Sequence, residues 1–136
     1  MTSMIPDFND HGYLPKGIHP ATLNEIELRF GRETELRRVQ MESIRWLAEV
    51  AFRAGILRLI INGSFVTDVA EPNDVDCVLL GDHRFPVDES AAAELVSGFP
   101  FLDIQIVNEK GFEEFVELVF ATDRRARPKG MIEVTE

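Results

Sequence analysis

The chain has 136 residues, ordinary globular proportions (45% apolar, 28% charged) and a formal net charge of −10, which predict one domain with a substantial core. So acidic a surface repels nucleic acid, whose binding rests on Lys and Arg contacts to phosphate, and no general nucleic-acid binding is expected. There is no run of about 18 apolar residues to span a membrane. The first residues lack a signal-peptide pattern and the single Cys77 excludes an internal disulfide, so a cytoplasmic setting without a membrane partner is expected.

Residues 1–20, with Pro6, Pro15, Gly17 and Pro20, read as an N-terminal arm packed on a single domain spanning 21–136. Thr22-Leu23-Asn24-Glu25 has the form of a capping box and predicts a short helix over 23–30, stopped by Gly31. A longer helix is predicted from about Glu35 to Ala54, where Leu36, Val39, Ile44, Leu47, Ala48 and Ala51 recur at helical spacing. A strand follows over 57–62, then a turn at Gly63-Ser64 and one helical turn over 65–68. Pro72-Asn73 ends that excursion and a second strand begins near Asp74. Beyond a loop over 81–87, Asp88 caps a predicted helix over 89–96, which Gly98 and Pro100 stop. A third strand is predicted over 101–107 and an amphipathic helix over 112–120. After the polar stretch 122–130, residues 131–134 are expected to add an edge strand. This order predicts an α+β domain of α/β-like character, a small mixed β-sheet with flanking helices.

The chemistry concentrates at the turn and the strand after it. Successive strand side chains point to opposite faces, so Asp74 and Asp76 share one face while Val75 and Cys77 share the other. Two carboxylates beside a turn with free backbone N–H groups suit a Mg²⁺-nucleotide: oxygen ligands for a hard cation, amides for phosphates. Asp103 sits between Leu102 and Ile104 in the third strand, where a charge is costly unless a metal, a partner or solvent meets it. If the two strands are neighbours, the three aspartates converge on one site able to hold two metal ions for an in-line phosphoryl displacement. Thr67 is a candidate to line the phosphate site.

The pattern Gly63-Ser64, nine intervening residues, Asp74-Val75-Asp76-Cys77 and the later Leu102-Asp103-Ile104 resembles the DNA-polymerase-β-type nucleotidyltransferase superfamily over roughly residues 57–107. The wording of Leu14-Pro15-Lys16-Gly17-Ile18-His19-Pro20, Asn62 to Asp68 and Glu71 to Asp76 is also similar to small bacterial nucleotidyltransferase-like proteins. Those are of the size of minimal nucleotidyltransferases found in toxin–antitoxin and phage-defence loci. The resemblance implies a polymerase-β-type fold and transfer of a nucleoside monophosphate from an NTP to a hydroxyl of a protein, a small molecule or RNA. It implies Mg²⁺, or Mn²⁺ in its place, as cofactor. In that family's terms, Gly63 and Ser64 hold the triphosphate, Asp74 and Asp76 ligate both metals, and Asp103 ligates the catalytic metal and activates the acceptor hydroxyl. The expected partners are an NTP, an unidentified acceptor, and a second protein or a second copy of the chain to supply acceptor-binding surface. The alternative is a nucleotide-binding or protein-interaction module with the same fold and little or no turnover.

One departure from the family pattern matters. Phe65-Val66-Thr67 follows the Gly-Ser pair where a small residue and Arg-Gly are common, and no Lys or Arg lies between Ser64 and Asp82. The basic partner of the triphosphate must come from elsewhere, and Arg58, Lys110 and the group Arg124, Arg125, Arg127 and Lys129 are candidates. The ordinary reading of that last group is a charged tail, and of Arg29, Arg32, Arg37 and Arg38 a solvated helix face. Asp68 and Glu71 read as loop carboxylates, and His11, His19 and His83 are too scattered for a metal site. Tyr13, Phe65 and Phe85 suit packing more than base stacking, and Trp46 reads as core or interface.

Overall fold

The computed structural model describes residues 5–135. It comprises β1 (Gly17–Thr22), α1 (Leu23–Phe30), α2 (Glu35–Ala54), β2 (Arg58–Asn62), β3 (Val75–Leu80), α3 (Glu89–Ser97), β4 (Leu102–Val107), α4 (Glu109–Glu114) and β5 (Gly130–Thr135). The α+β architecture is as expected: one mixed sheet in the order β1-β5-β2-β3-β4 with helices on both faces.

Local signals set most boundaries. The Thr22 hydroxyl accepts from the Glu25 N–H while the Glu25 carboxylate accepts from the Thr22 N–H, closing the capping box of α1. Thr34 caps α2, Asp88 caps α3 and Asn108 caps α4 by the same side-chain chemistry. Gly55 ends α2 in the left-handed conformation, φ 100°.

Alternation within the strands divides the apolar residues between two layers. Leu59 and Ile61 of β2, Val75, Cys77 and Leu79 of β3, and Ile132 and Val134 of β5 face a large core built by α1, α2 and α3. Ile60, Val78 and Met131 face a smaller cluster with Phe112 of α4 and Phe120. Cys77 is buried, as its position opposite Asp76 suggests. A five-residue π-helical stretch, Phe115–Val119, continues α4.

Two expectations need correction. Residues 131–134 do not form an edge strand: β5 lies inside the sheet, parallel to β1 and antiparallel to β2. Gly130, Met131, Ile132 and Val134 are buried and Glu133 and Thr135 partly so, as suits a strand with neighbours on both sides. Residues 1–20 are not simply an arm either, since Gly17–Thr22 forms β1 and the expected boundary at residue 20 falls inside it. As β1 bonds β5 alone, it is an edge strand, where Pro20 and its missing N–H are tolerated. Ile5 and Leu14 are buried in the main core, so the segment before β1 is part of the domain; residues 1–4 lie outside the described region. Trp46, expected as core or interface, is 70% exposed on α2 with its ring edge-on to Phe99.

Candidate functional site

Gly63 ends β2 with φ 89°, a conformation that favours glycine, and the chain then makes a 3₁₀ turn at Ser64–Val66. A Cβ at Gly63 would stand 3.1 Å from Asp76 Oδ2, so the absent side chain also makes room for that carboxylate. The Ser64 hydroxyl accepts from the Asn73 N–H at 2.7 Å, which closes the loop 65–72 onto its own start. Ser64 therefore positions the residue before Asp74 while keeping its own hydroxyl proton to donate. The Thr67 hydroxyl donates to the Ser64 carbonyl at 2.6 Å and accepts from the Val69 N–H at 3.3 Å. It shapes the turn and is absent from the wall of the cleft beside it.

Asp76 leads into the central part of the sheet with Asn62 opposite it on β2 and Asp103 opposite it on β4. Neighbouring strands lie about 4.8 Å apart, so Asp76 and Asp103 are adjacent like charges. Asp74 comes immediately before β3 and is exposed, as is Asp103. Burial raises the Asp76 carboxyl above its usual range, and the Asp103 and Asp74 charges raise it further, while Lys129 opposes them. The three aspartates thus lie close together, with Asp76 at the centre. They do not form a closed ligand set, for among the described residues no three His, Cys, Asp or Glu side chains are gathered tightly enough to hold a metal ion.

Sequence reading missed the support beneath this site. Arg37 is 2% exposed, not part of a solvated face. Its guanidinium donates to the Phe30, Phe65, Thr67 and Val69 carbonyls at 2.7–3.1 Å. Burial lowers its pKa from the usual arginine value, and the Glu33 and Asp68 charges hold it up. One turn on, Gln40 Nε2 donates to the Pro72 and Asn73 carbonyls at 3.3 and 2.9 Å. Adjacent turns of α2 therefore hold both limbs of the connector between Ser64 and Asp74. The signal was available: positions 37, 40, 44, 47, 48 and 51 continue one helical face, but its first two members are polar.

Two basic residues of the C-terminal group reach the turn and its aspartates. Arg124 and Lys129 line a cleft of about 790 Å³ together with Gln40, Gly63, Ser64, Asn73, Asp74 and Asp76. Arg58 is occupied by Glu133 on β5, its Nε donating at 2.9 Å, and Lys110 is not in the cleft wall. Residues 121–129 form an ordered hairpin, not a charged tail. Asp123 Oδ1 accepts from the Arg125 and Arg127 N–H groups, and Arg127 Nε donates to Asp123 Oδ2. The Tyr13 hydroxyl donates to Asp123 Oδ2 at 2.8 Å and ties the hairpin to the segment before β1. These bonds hold the Asp123 carboxyl well below its usual range against the cost of burial, and the carboxylate raises the Tyr13 hydroxyl. Among the described residues Arg124 and Lys129 have no ion-pair partner, unlike Arg127. Of the aromatic residues, Phe101 lines the cleft, whereas Phe65 is buried and Tyr13 is engaged at the hairpin.

Asp76, Asp74 and Asp103 have no hydrogen-bond partner among the described residues, and the repulsion that Asp103 and Asp74 exert on Asp76 is of the kind that positive charge would relieve.

A family model, the family of unknown function DUF6932, matches residues 6–135. The chain belongs to that family. No curated protein and no solved structure matches it. The match extends from the segment carrying Tyr13 to the last residue of β5, so one family unit contains the turn, the aspartates and the cationic hairpin.

Proposed function

We propose that this chain is a Mg²⁺-dependent nucleotidyltransferase that moves a nucleoside monophosphate from an NTP to a hydroxyl. The observation that carries the reading is the registration of Asp76 with Asp103 on adjacent parallel strands, beside the positive-φ Gly63. A bound divalent cation would be held by Asp74 and Asp76 with Asp103 at their side, and it would supply charge neutralisation for the phosphates. The Gly63-Ser64 turn allows the phosphates to approach the backbone. Arg124 and Lys129, which line the same cleft, complement their negative charge. The acceptor oxygen forms a bond to the α-phosphorus as the bond to the β-bridging oxygen breaks, pyrophosphate leaves, and Asp103 takes the hydroxyl proton. The site's contribution is positioning and electrostatic complementarity, with no covalent enzyme intermediate.

Incubation with each α-labelled NTP and Mg²⁺, with candidate acceptors of the protein, small-molecule and RNA classes, tests this. Label transfer with pyrophosphate release is expected, and loss of both in Asp74→Ala/Asp76→Ala. Transfer that survives the double substitution would falsify the site. A second reading, a nucleotide-binding module without turnover, is favoured by one observation: Asp103 is exposed and outside the cleft wall. It predicts Mg²⁺-dependent NTP binding with no pyrophosphate released under any acceptor.

A further inference from the structure

Phe101 stands between two hollows. On one side it lines the cleft that holds Ser64, Asp74, Asp76, Arg124 and Lys129. On the other it lines a groove of about 400 Å³ with Val39, Trp46 and Pro100. The cleft is walled by charged and hydrogen-bonding groups, whereas the groove presents mainly apolar surface. Arg45 at the groove is occupied by Glu27 and Asn24. Leu36 of the cleft and Val39 and Trp46 of the groove follow one face of α2, so the same helix runs beneath both. Phe101 is 40% exposed and Trp46 70%, and core packing accounts for neither ring. The Phe101 backbone is also strained: φ is 67°, a region that bulky residues rarely enter. Its carbonyl accepts from the Val75 N–H at 2.8 Å, which fixes the ring beside Asp74.

We propose that the base of a nucleotide bound in the cleft stacks on Phe101 and extends along the groove towards Trp46. The inference rests on the nucleotide reading above and adds to it the place of the base. A nucleoside triphosphate is a two-ended ligand. Its phosphates need cations and hydrogen-bond donors, and its flat base gains by leaving water for an aromatic face. The two hollows offer these surfaces in that order, with Phe101 at the junction. Every base has a π-face, so stacking at Phe101 accepts all four bases with modest preference.

Trp46 is the only tryptophan in the chain, so its emission reports occupancy of the groove. The test titrates the whole chain, in Mg²⁺, with each of the four NTPs and with ribose 5′-triphosphate, which keeps the sugar and phosphates but lacks the base. Binding is followed by calorimetry and by Trp46 emission corrected for nucleotide absorbance. The NTPs are expected to bind about tenfold more tightly than ribose triphosphate, and they alone to change the emission. Phe101→Asn removes the ring with a residue that tolerates the left-handed backbone. It is expected to lower NTP affinity to that of ribose triphosphate while leaving the latter unchanged, and Phe101→Tyr to bind like the wild type. Equal binding of the two ligand classes by the wild-type protein, with constant emission, overturns the inference and leaves the nucleotide reading standing. A Phe101→Asn protein that weakens both classes equally also overturns it, because Phe101 then only steadies Asp74. Emission that shifts with protein concentration in the absence of ligand gives the groove to a second copy of the chain and overturns it too. Absence of Mg²⁺-dependent NTP binding by the wild-type protein overturns the nucleotide reading, and this inference with it.

Discussion

Asp76 is where folding and the proposed chemistry conflict. Its folded pKa is raised, so ionisation is less favourable in the folded chain than in the unfolded one. The metal-free protein therefore has its full increment of stability below the unfolded pKa of Asp76, and loses it as pH rises through the folded value. Asp76→Asn is expected to raise metal-free stability at neutral pH by about 0.5–2 kcal/mol, the usual gain on relieving a functional site. Urea denaturation of both proteins across pH 4 to 7 measures the difference, which should grow with pH. The same substitution is expected to abolish any Mg²⁺-dependent rise in the unfolding midpoint. Gly63 makes the complementary point about backbone. Gly63→Ala forces a Cβ onto a residue at φ 89° and to within 3.1 Å of Asp76 Oδ2, and is expected to cost about 1–3 kcal/mol in the same assay.

The connector from Ser64 to Asp74 has little regular structure of its own, and α2 supplies its rigidity. Arg37→Met would leave four carbonyls without their donor while keeping the volume of the side chain nearly filled. It is expected to destabilise the fold by about 2–5 kcal/mol, by equilibrium denaturation, since each buried acceptor left unpaired carries its own desolvation cost. Amide exchange should show the largest loss of protection over residues 65–73. The hairpin over 121–129 depends in turn on Asp123, which joins Tyr13, Arg125 and Arg127. These dependences explain what was hard to read in the chain. Apolar spacing points to Leu36 and Val39 as the inward start of α2, whereas Arg37 and Gln40 occupy it; a buried polar residue looks solvated until the carbonyls it serves are in view. Similarly, Gly17–Thr22, with His19 and Pro20, lacks the composition of a strand and becomes one because β5 offers it an edge.

Viewed whole, the protein is an acidic body with a small cationic wall. At a net charge of −10, long-range attraction of a polyanion is absent, while Arg124 and Lys129 act within the cleft at short distance. Arg124→Ala/Lys129→Ala is therefore expected to raise the Kd for a Mg²⁺-NTP about tenfold or more. The unfolding midpoint should shift little, because neither residue is held in an ion pair and such surface changes stay within about 0.5 kcal/mol. Added salt should weaken binding by the wild-type protein more than by the double variant, since screening acts on the cations that the variant lacks. Titration at two ionic strengths compares the slopes, and equal slopes would remove these residues from the proposed phosphate site.

What could be read in residue order was whatever depends on near neighbours. The caps at Thr22 and Asp88, the stop at Gly55, the turn at Gly63-Ser64 and the alternation that sets Asp76 opposite Cys77 all act over a few positions. Relations across long separations were decided by the tertiary structure. The placing of β5 between β1 and β2, the alignment of Asp76 with Asp103, and the reach of Arg124 and Lys129 into the cleft depend on strand register and buried bonds. The Tyr13 to Asp123 bond spans 110 positions of chain. A side chain's chemistry is local, but the partner that gives it a use is chosen by packing, and packing is a property of the assembled sheet and helices.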